Sequence, residues 1–261
     1  VTTATTAPAP TVHRPATSGP SLARLTEVEL RKLTDTRAGR WLLGVIGLVA
    51  AAIVTVQLFV LDDPEQTFQA FFIPSLFPVG LLLPVLGILS ITAEWSQRTA
   101  LTTFALVPRR GRVVVAKLAA LVLAALASVL ASLAVAAVGT LVANATGGAG
   151  TWAFDWQLLP HAAVFQVANA LMGAAFGLLL LNTPLAVVSY LLLPTVWSVL
   201  AAMVTALRRP AEWLDTAVTL EPLLGAEVTA GQWGRLAVSL LVWLALPLAA
   251  GLVRVMRREV S

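Results

Sequence analysis

The chain has 261 residues, of which 58% are hydrophobic and 11% charged, with a formal net charge of +4, two histidines and no cysteine. An ordinary soluble domain carries roughly 25% charged residues, so this composition excludes a water-soluble globule of such size and points to a membrane protein. Without cysteine there is no disulfide, thiolate nucleophile or thiolate metal site, and basic residues placed at the ends of apolar runs, not on one polar face, argue against a nucleic-acid partner.

Residues 1–20 are rich in Thr, Ala and Pro and are expected to form a disordered tail. Residues 21–40, SLARLTEVELRKLTDTRAGR, set Leu22, Leu25 and Val28 at three-residue spacing with charges between them, the pattern of an amphipathic helix at a membrane interface. No apolar core of a cleavable signal peptide occurs in the first forty residues.

Residues 41–261 are expected to form a six-span domain, giving an all-α integral membrane fold. A bilayer core of ~30 Å takes about 20 apolar helical residues, and six runs qualify: Trp41–Leu61, Phe71–Ala93, Val113–Val142, Ala162–Leu181, Pro184–Leu207 and Arg235–Met256. The second contains Pro74, Pro78 and Pro84 and is expected to be kinked or broken; Pro194 and Pro247 mark milder bends. Between the fifth and sixth runs, Pro210 opens a short helix with Trp213, Ala217 and Leu220 on one face, and Glu221-Pro222 ends it.

Lys and Arg set the orientation. Arg24, Arg31, Lys32, Arg37 and Arg40 precede the first span; Arg98, Arg109, Arg110, Arg112 and Lys117 surround the second connection; Arg254, Arg257 and Arg258 follow the last span. With six spans these regions share one side, and the acidic connections share the other. Both termini are therefore expected in the cytoplasm, in the inner membrane of a bacterium; the scarcity of lysine beside abundant Arg, Ala and Val fits a GC-rich bacterial genome.

Catalytic patterns are lacking. There is no H-E-x-x-H, G-x-S-x-G or G-x-x-x-x-G-K-[ST], and His13 and His161 lie in the tail and at a helix start. No enzyme activity and no cofactor or metal bound by this chain are expected. The mid-span regions hold no ionisable residue, which disfavours stand-alone ion-coupled transport. Gln57, Gln166, Asn169 and Thr195 are the polar groups available for a substrate path, although a helix–helix hydrogen bond is the simpler role for each.

A chain with no energy source of its own takes force from outside, and the connection from Glu94 to Arg112 offers a handle. Leu101, Phe104 and Ala105 fall at i, i+3 and i+4, Pro108 ends the short helix, and Arg109, Arg110 and Arg112 follow. The stretch EWSQRTALTTFALVPRRGRVVVAKL resembles the first cytoplasmic connection of type-2 ABC exporter permeases through Glu94, Thr99, Pro108, Arg110 and Lys117, with Arg98 standing where Gly is common. EVELRKLTDTRAGRWLL resembles the entry helix of that family at Glu29, Lys32, Thr36 and Arg37, and VWLALPLAAGLVRVMRREV resembles its last span and basic tail.

That resemblance implies a permease subunit paired with a second copy or a paralogue, each engaging a separate ATPase subunit that holds the ATP and Mg. It places Glu94, Arg98, Thr99, Phe104, Pro108, Arg109 and Arg110 at the ATPase interface, with Glu29, Lys32 and Arg37 of the entry helix touching the same partner. It also implies a pathway at the dimer interface, lined by the second and fifth spans, with short re-entrant helices before the last span; from the residues alone that segment reads equally as an interfacial loop anchored by Trp213 and Trp233. The alternative from the residues alone is a membrane anchor, regulatory or immunity module that binds a cytoplasmic partner without transport.

Overall fold

The architecture is that of a computed structural model, which describes residues 20–96, 110–147 and 150–257. Helix α1 (Leu22–Asp35) starts where the Ser21 hydroxyl accepts from the Arg24 N–H, and its buried stripe is Thr26, Glu29 and Leu33. At Thr36 the backbone turns extended, and the Thr36 hydroxyl caps the next helix by accepting from the Gly39 N–H at 3.1 Å. The interfacial helix thus ends before Arg37 rather than after Arg40, and both arginines belong to the first turns of the first span.

The spans are α2 (Arg37–Val60), α3 (Phe68–Ser96), α4 (Arg110–Ala145), α5 (Leu158–Leu180), α6 (Thr183–Met203) and the continuous helical stretch Ala230–Arg257. Two short helices, α7 (Arg208–Leu214) and α8 (Thr216–Leu220), precede the last span, which consists of α9 (Ala230–Leu240), a π-helical turn at Leu241–Ala245 and α10 (Leu246–Arg257). This is an all-α membrane fold with six spans. Each helix except α6 outlasts its apolar run by a few residues, because intrahelical hydrogen bonds continue into the headgroup layer. The fifth stops early, at Met203, where the chain tightens into a 3-10 turn over Thr205–Leu207.

Helices α3 and α5 form the centre. Within the most apolar stretch of each, 61% of residues are buried, against 17% for α2, α6 and the last span. They approach closely because small residues face each other: a Cβ on Gly173 would lie 2.3 Å from the Pro84 carbonyl oxygen.

Despite Pro74, Pro78 and Pro84, α3 is one unbroken helix. Pro74 cannot donate to the carbonyl of Ala70, four residues back. Gln57 of α2 supplies the missing donor, its Nε2 reaching that oxygen at 2.8 Å. The π-helical turn has a related origin: Pro247 offers no N–H to Trp243, and the helix widens there, the Leu246 N–H donating to Leu241.

Successive spans alternate in direction, so α1 and the end of α10 lie at the same end of the bundle. Arg112 donates to the Pro20 carbonyl at 2.9 Å and Arg110 to that of Val255 at 3.2 Å, joining the base of α4 to both. Asn182 caps α6 at this end by accepting from the Leu185 N–H, just after Leu181 takes a left-handed φ of 50°. The opposite end carries α7 and α8 and an aromatic group built on Phe154, whose ring meets Phe68, Phe72 and Trp156 edge-on.

The helix expected from Pro210 to Leu220 is instead two. Asp215 breaks it and caps α8; of the three residues expected on one face Leu220 is buried, along with Ala211, Asp215, Thr219 and Leu223, while Ala217 is exposed and Trp213 is exposed beneath the Arg235 guanidinium. Ser198 of α6 donates to the Asp215 carboxylate at 2.8 Å and the Trp243 indole N–H to the Leu214 carbonyl at 2.6 Å. The hairpin therefore folds back against α6 and the last span.

Candidate functional site

Two features stand out. At the Arg-rich end, α1, α3 and α4 meet in a four-membered ion cluster. The Lys117 ammonium lies 2.7 Å from Glu29 Oε2 and 3.1 Å from Glu94 Oε1, and it also donates to the Ser90 carbonyl at 3.0 Å. Lys32 completes the ring, 2.7 Å from Glu29 Oε1 and 2.9 Å from Glu94 Oε1. Two acids and two bases neutralise one another, which is what permits such burial: the side chains of Glu29 and Lys117 are each 6% exposed. Lys32 sits nearer the surface. Burial alone would favour its neutral form, but the Glu29 and Glu94 carboxylates outweigh that and raise its pKa above the ordinary 10.5.

These are the only two lysines in the chain. Glu94 and Lys117 flank the connection 97–109 on its two sides, and Glu29 ties both to α1. Of the residues expected at a partner interface, Glu94 and Arg110 are described; Arg98, Thr99, Phe104, Pro108 and Arg109 lie outside the described residues, as does the tail 1–19. Glu29 and Lys32 were expected to face a partner. The structure instead commits the Glu29 carboxylate wholly to lysines of its own chain, because its position falls on the buried stripe of α1. Arg37 remains exposed.

In the sequence Lys117 reads as a membrane-flanking charge and as one of the residues that carry the resemblance, not as a partner of Glu29. Its site, a full two turns inside α4 and among apolar residues, was the signal that it needed a buried acid.

The second feature is a cavity of about 260 Å³ near the middle of the bundle, between α3, α5, α6 and the last span. Asn169 and Thr195 both line it, so the structure brings these two expected path residues together. Gln166 lies just behind its wall at Gly80: its Nε2 donates to the Leu76 carbonyl at 3.0 Å, and its fully buried Oε1 has no partner. Gln57 is elsewhere, spent on the Ala70 carbonyl between α2 and α3. Sequence reasoning missed Tyr190, Thr216 and Trp243: Tyr190 lies on the buried side of α6, the α7–α8 hairpin brings Thr216 and the π-helical turn brings Trp243. His161 lies at the far end, its ring 2.9 Å from the Gly225 carbonyl oxygen and beside Trp233.

Compared with known proteins, the chain matches no family model and no curated protein. Among the described residues no group of His, Asp or Glu is placed to hold a metal ion.

Proposed function

We propose that the chain is the membrane-spanning permease subunit of an ATP-driven exporter of the type-2 ABC class, working as a homo- or heterodimer with separate ATPase subunits. The observation that supports this reading is the ion cluster. It binds the interfacial helix and the two spans on either side of the 97–109 connection into a single unit, so a push on that connection moves α1, α3 and α4 together. The distribution of Lys and Arg supports a bacterial cytoplasmic membrane with both termini inside.

In this reading, ATP closes the partner subunits, which press on the segment containing Arg98, Thr99, Phe104 and Pro108. Force enters α3 at Glu94 and α4 at Lys117, and the paired permeases shift from inward-open toward outward-open. This chain binds no nucleotide itself.

The test is purification of the tagged full chain from native membranes in a detergent that preserves a known membrane complex. A stoichiometric ATPase is expected, with Phe104→Asp abolishing transport-coupled hydrolysis while membrane insertion is retained. A chain that purifies alone, or coupled hydrolysis unchanged by Phe104→Asp, overturns the reading and favours a non-transporting anchor or regulatory module.

A further inference from the structure

The lining of the mid-depth cavity is chemically selective. Among the described residues no charged side chain lines it, and at this depth a charged ligand would stay unpaired in a medium that penalises it. Its walls are flat and aromatic: Phe176 stacks on Trp243 with ring centroids 6.5 Å apart and meets Tyr190 edge-on at 6.0 Å, while Phe77 and Phe165 close the α3 and α5 sides. Such walls favour rings over flexible chains, because planar faces stack with little loss of freedom.

Polar groups are set into that aromatic lining. The Asn169 amide donates one N–H to the Phe165 carbonyl at 2.9 Å, leaving its second N–H, and its Oδ1 receives the Tyr190 hydroxyl only at a long 3.4 Å. Thr216, half-buried, also lines the cavity, and its hydroxyl makes no hydrogen bond with the described residues. Spare donor capacity in an otherwise apolar lining favours a ligand that can accept a hydrogen bond over one that cannot. An acyl chain accepts nothing.

We infer that this cavity is a binding site for an uncharged, ring-containing ligand that bears a carbonyl or ether oxygen, held by aromatic stacking and by hydrogen bonds from Asn169 and Thr216. Its volume falls below the roughly 300 Å³ at which drug-sized pockets begin, so it takes a small fused-ring body. Phe77 and Leu81 of α3 and Leu191 of α6 are exposed at its mouth, which opens sideways between these two helices. The site's role as a substrate site rests on the export reading; its capacity to bind does not.

Anthrone, a neutral fused-ring ketone, is the probe. Radiolabelled anthrone is titrated against the full chain in lipid nanodiscs by scintillation proximity, with empty nanodiscs giving the lipid-partition background. Saturable binding is expected, with anthracene, which lacks the carbonyl, competing about tenfold more weakly for want of one net hydrogen bond. Anthracene-9-carboxylate should not compete. Leu191→Trp, filling the mouth, should abolish binding; Thr216→Val and Asn169→Leu should each shrink the preference for anthrone over anthracene, and the near-isosteric Thr216→Val keeps the test valid if the larger changes unfold the chain. No saturable binding, equal binding by folded variants and the parent, or displacement by methyl oleate as effective as by unlabelled anthrone would overturn the assignment. Anthrone binding without a co-purifying ATPase would leave the site and remove the permease reading; an ATPase without anthrone binding would do the reverse.

Discussion

Replacing Lys117 by Met keeps most of the side chain's unbranched apolar stem and removes its charge, so it reports chiefly on the ammonium. Its three acceptors, Glu29 Oε2 at 2.7 Å, the Ser90 carbonyl at 3.0 Å and Glu94 Oε1 at 3.1 Å, all lose a donor. Two carboxylates then depend on Lys32 alone, and the cluster passes from neutral to one uncompensated negative charge. Exposed ion pairs contribute about 0–1 kcal/mol, whereas stripping one partner from a buried pair costs about 3–5 kcal/mol. With Glu29 6% exposed and Glu94 14%, the buried figure governs; Lys32, 43% exposed, can swing toward both acids and moderates the loss to about 3 kcal/mol. SDS titration in mixed micelles, read by tryptophan emission, measures it. The double variant Glu29→Gln/Lys117→Met deletes the surplus charge and should recover at least about 1 kcal/mol relative to the single change. A single-variant loss below about 1 kcal/mol, the surface-pair range, or a double variant worse than the single, would refute the claim that the cluster is a buried, mutually neutralised unit.

Gly173→Ala should destabilise the fold by about 3 kcal/mol, since its Cβ would sit 2.3 Å from backbone of α3, while Gly44→Ala, with nothing within 4 Å, should be neutral in the same titration. Equal effects at the two positions would show that α3 and α5 are not in close backbone contact. For Lys32, a pKa raised in the folded state means that its contribution is complete below the unfolded value of about 10.5 and disappears as pH climbs through the higher folded value. The unfolding midpoint should therefore hold steady from neutral into mildly alkaline solution and fall only above 10.5, less steeply in Lys32→Met; a Lys32-dependent fall that begins near neutrality would contradict the ion-pair assignment.

Hydropathy alone located all six spans, because a bilayer demands about 20 apolar residues per crossing regardless of tertiary detail. What it could not reveal was how proline-rich α3 stays whole. At Pro74 the orphaned Ala70 carbonyl is met by Gln57, a residue from another helix, and no local pattern announces which carbonyl a distant amide will serve. Gln57 was therefore read as a path residue when its donor is taken by a helix–helix bond. The break at Asp215 was missed for a different reason: the apolar spacing of Trp213, Ala217 and Leu220 mimics a single helix, whereas the Asp215 carboxylate caps a new one by accepting from the Ala217 N–H, with Ser198 of α6 donating to the same oxygen. Asn169 and Thr195 were legible as polar groups in apolar spans, but their meeting in one cavity depends on how α5 and α6 pack.

Helix α3 connects the two features. Glu94 in the ion cluster and Gly80 in the cavity wall stand fourteen residues apart on it, about 21 Å along a helix. The helix runs unbroken across Pro84, which lies between them, so under the export reading α3 passes an axial or tilting displacement from one feature to the other. The opposite wall is α6, and near the charged end its side-chain hydrogen bonds to α3 come from hydroxyls: Thr183 lies 2.7 Å from Thr92 and 3.4 Å from Ser96. Neutral hydroxyl bonds of this kind net about 0.5–1.5 kcal/mol each, less than the about 3–5 kcal/mol for losing one partner of the buried cluster that fixes α1 and α4 to α3. Under the export reading, a push near Glu94 therefore moves α3 with α1 and α4 while α6 lags, and the gap that changes is the mouth between Phe77, Leu81 and Leu191. Under that same reading the ion cluster and the hydroxyl bonds are two halves of one requirement: the cavity opens only if one wall is held to the driver by charge and the other by bonds weak enough to yield.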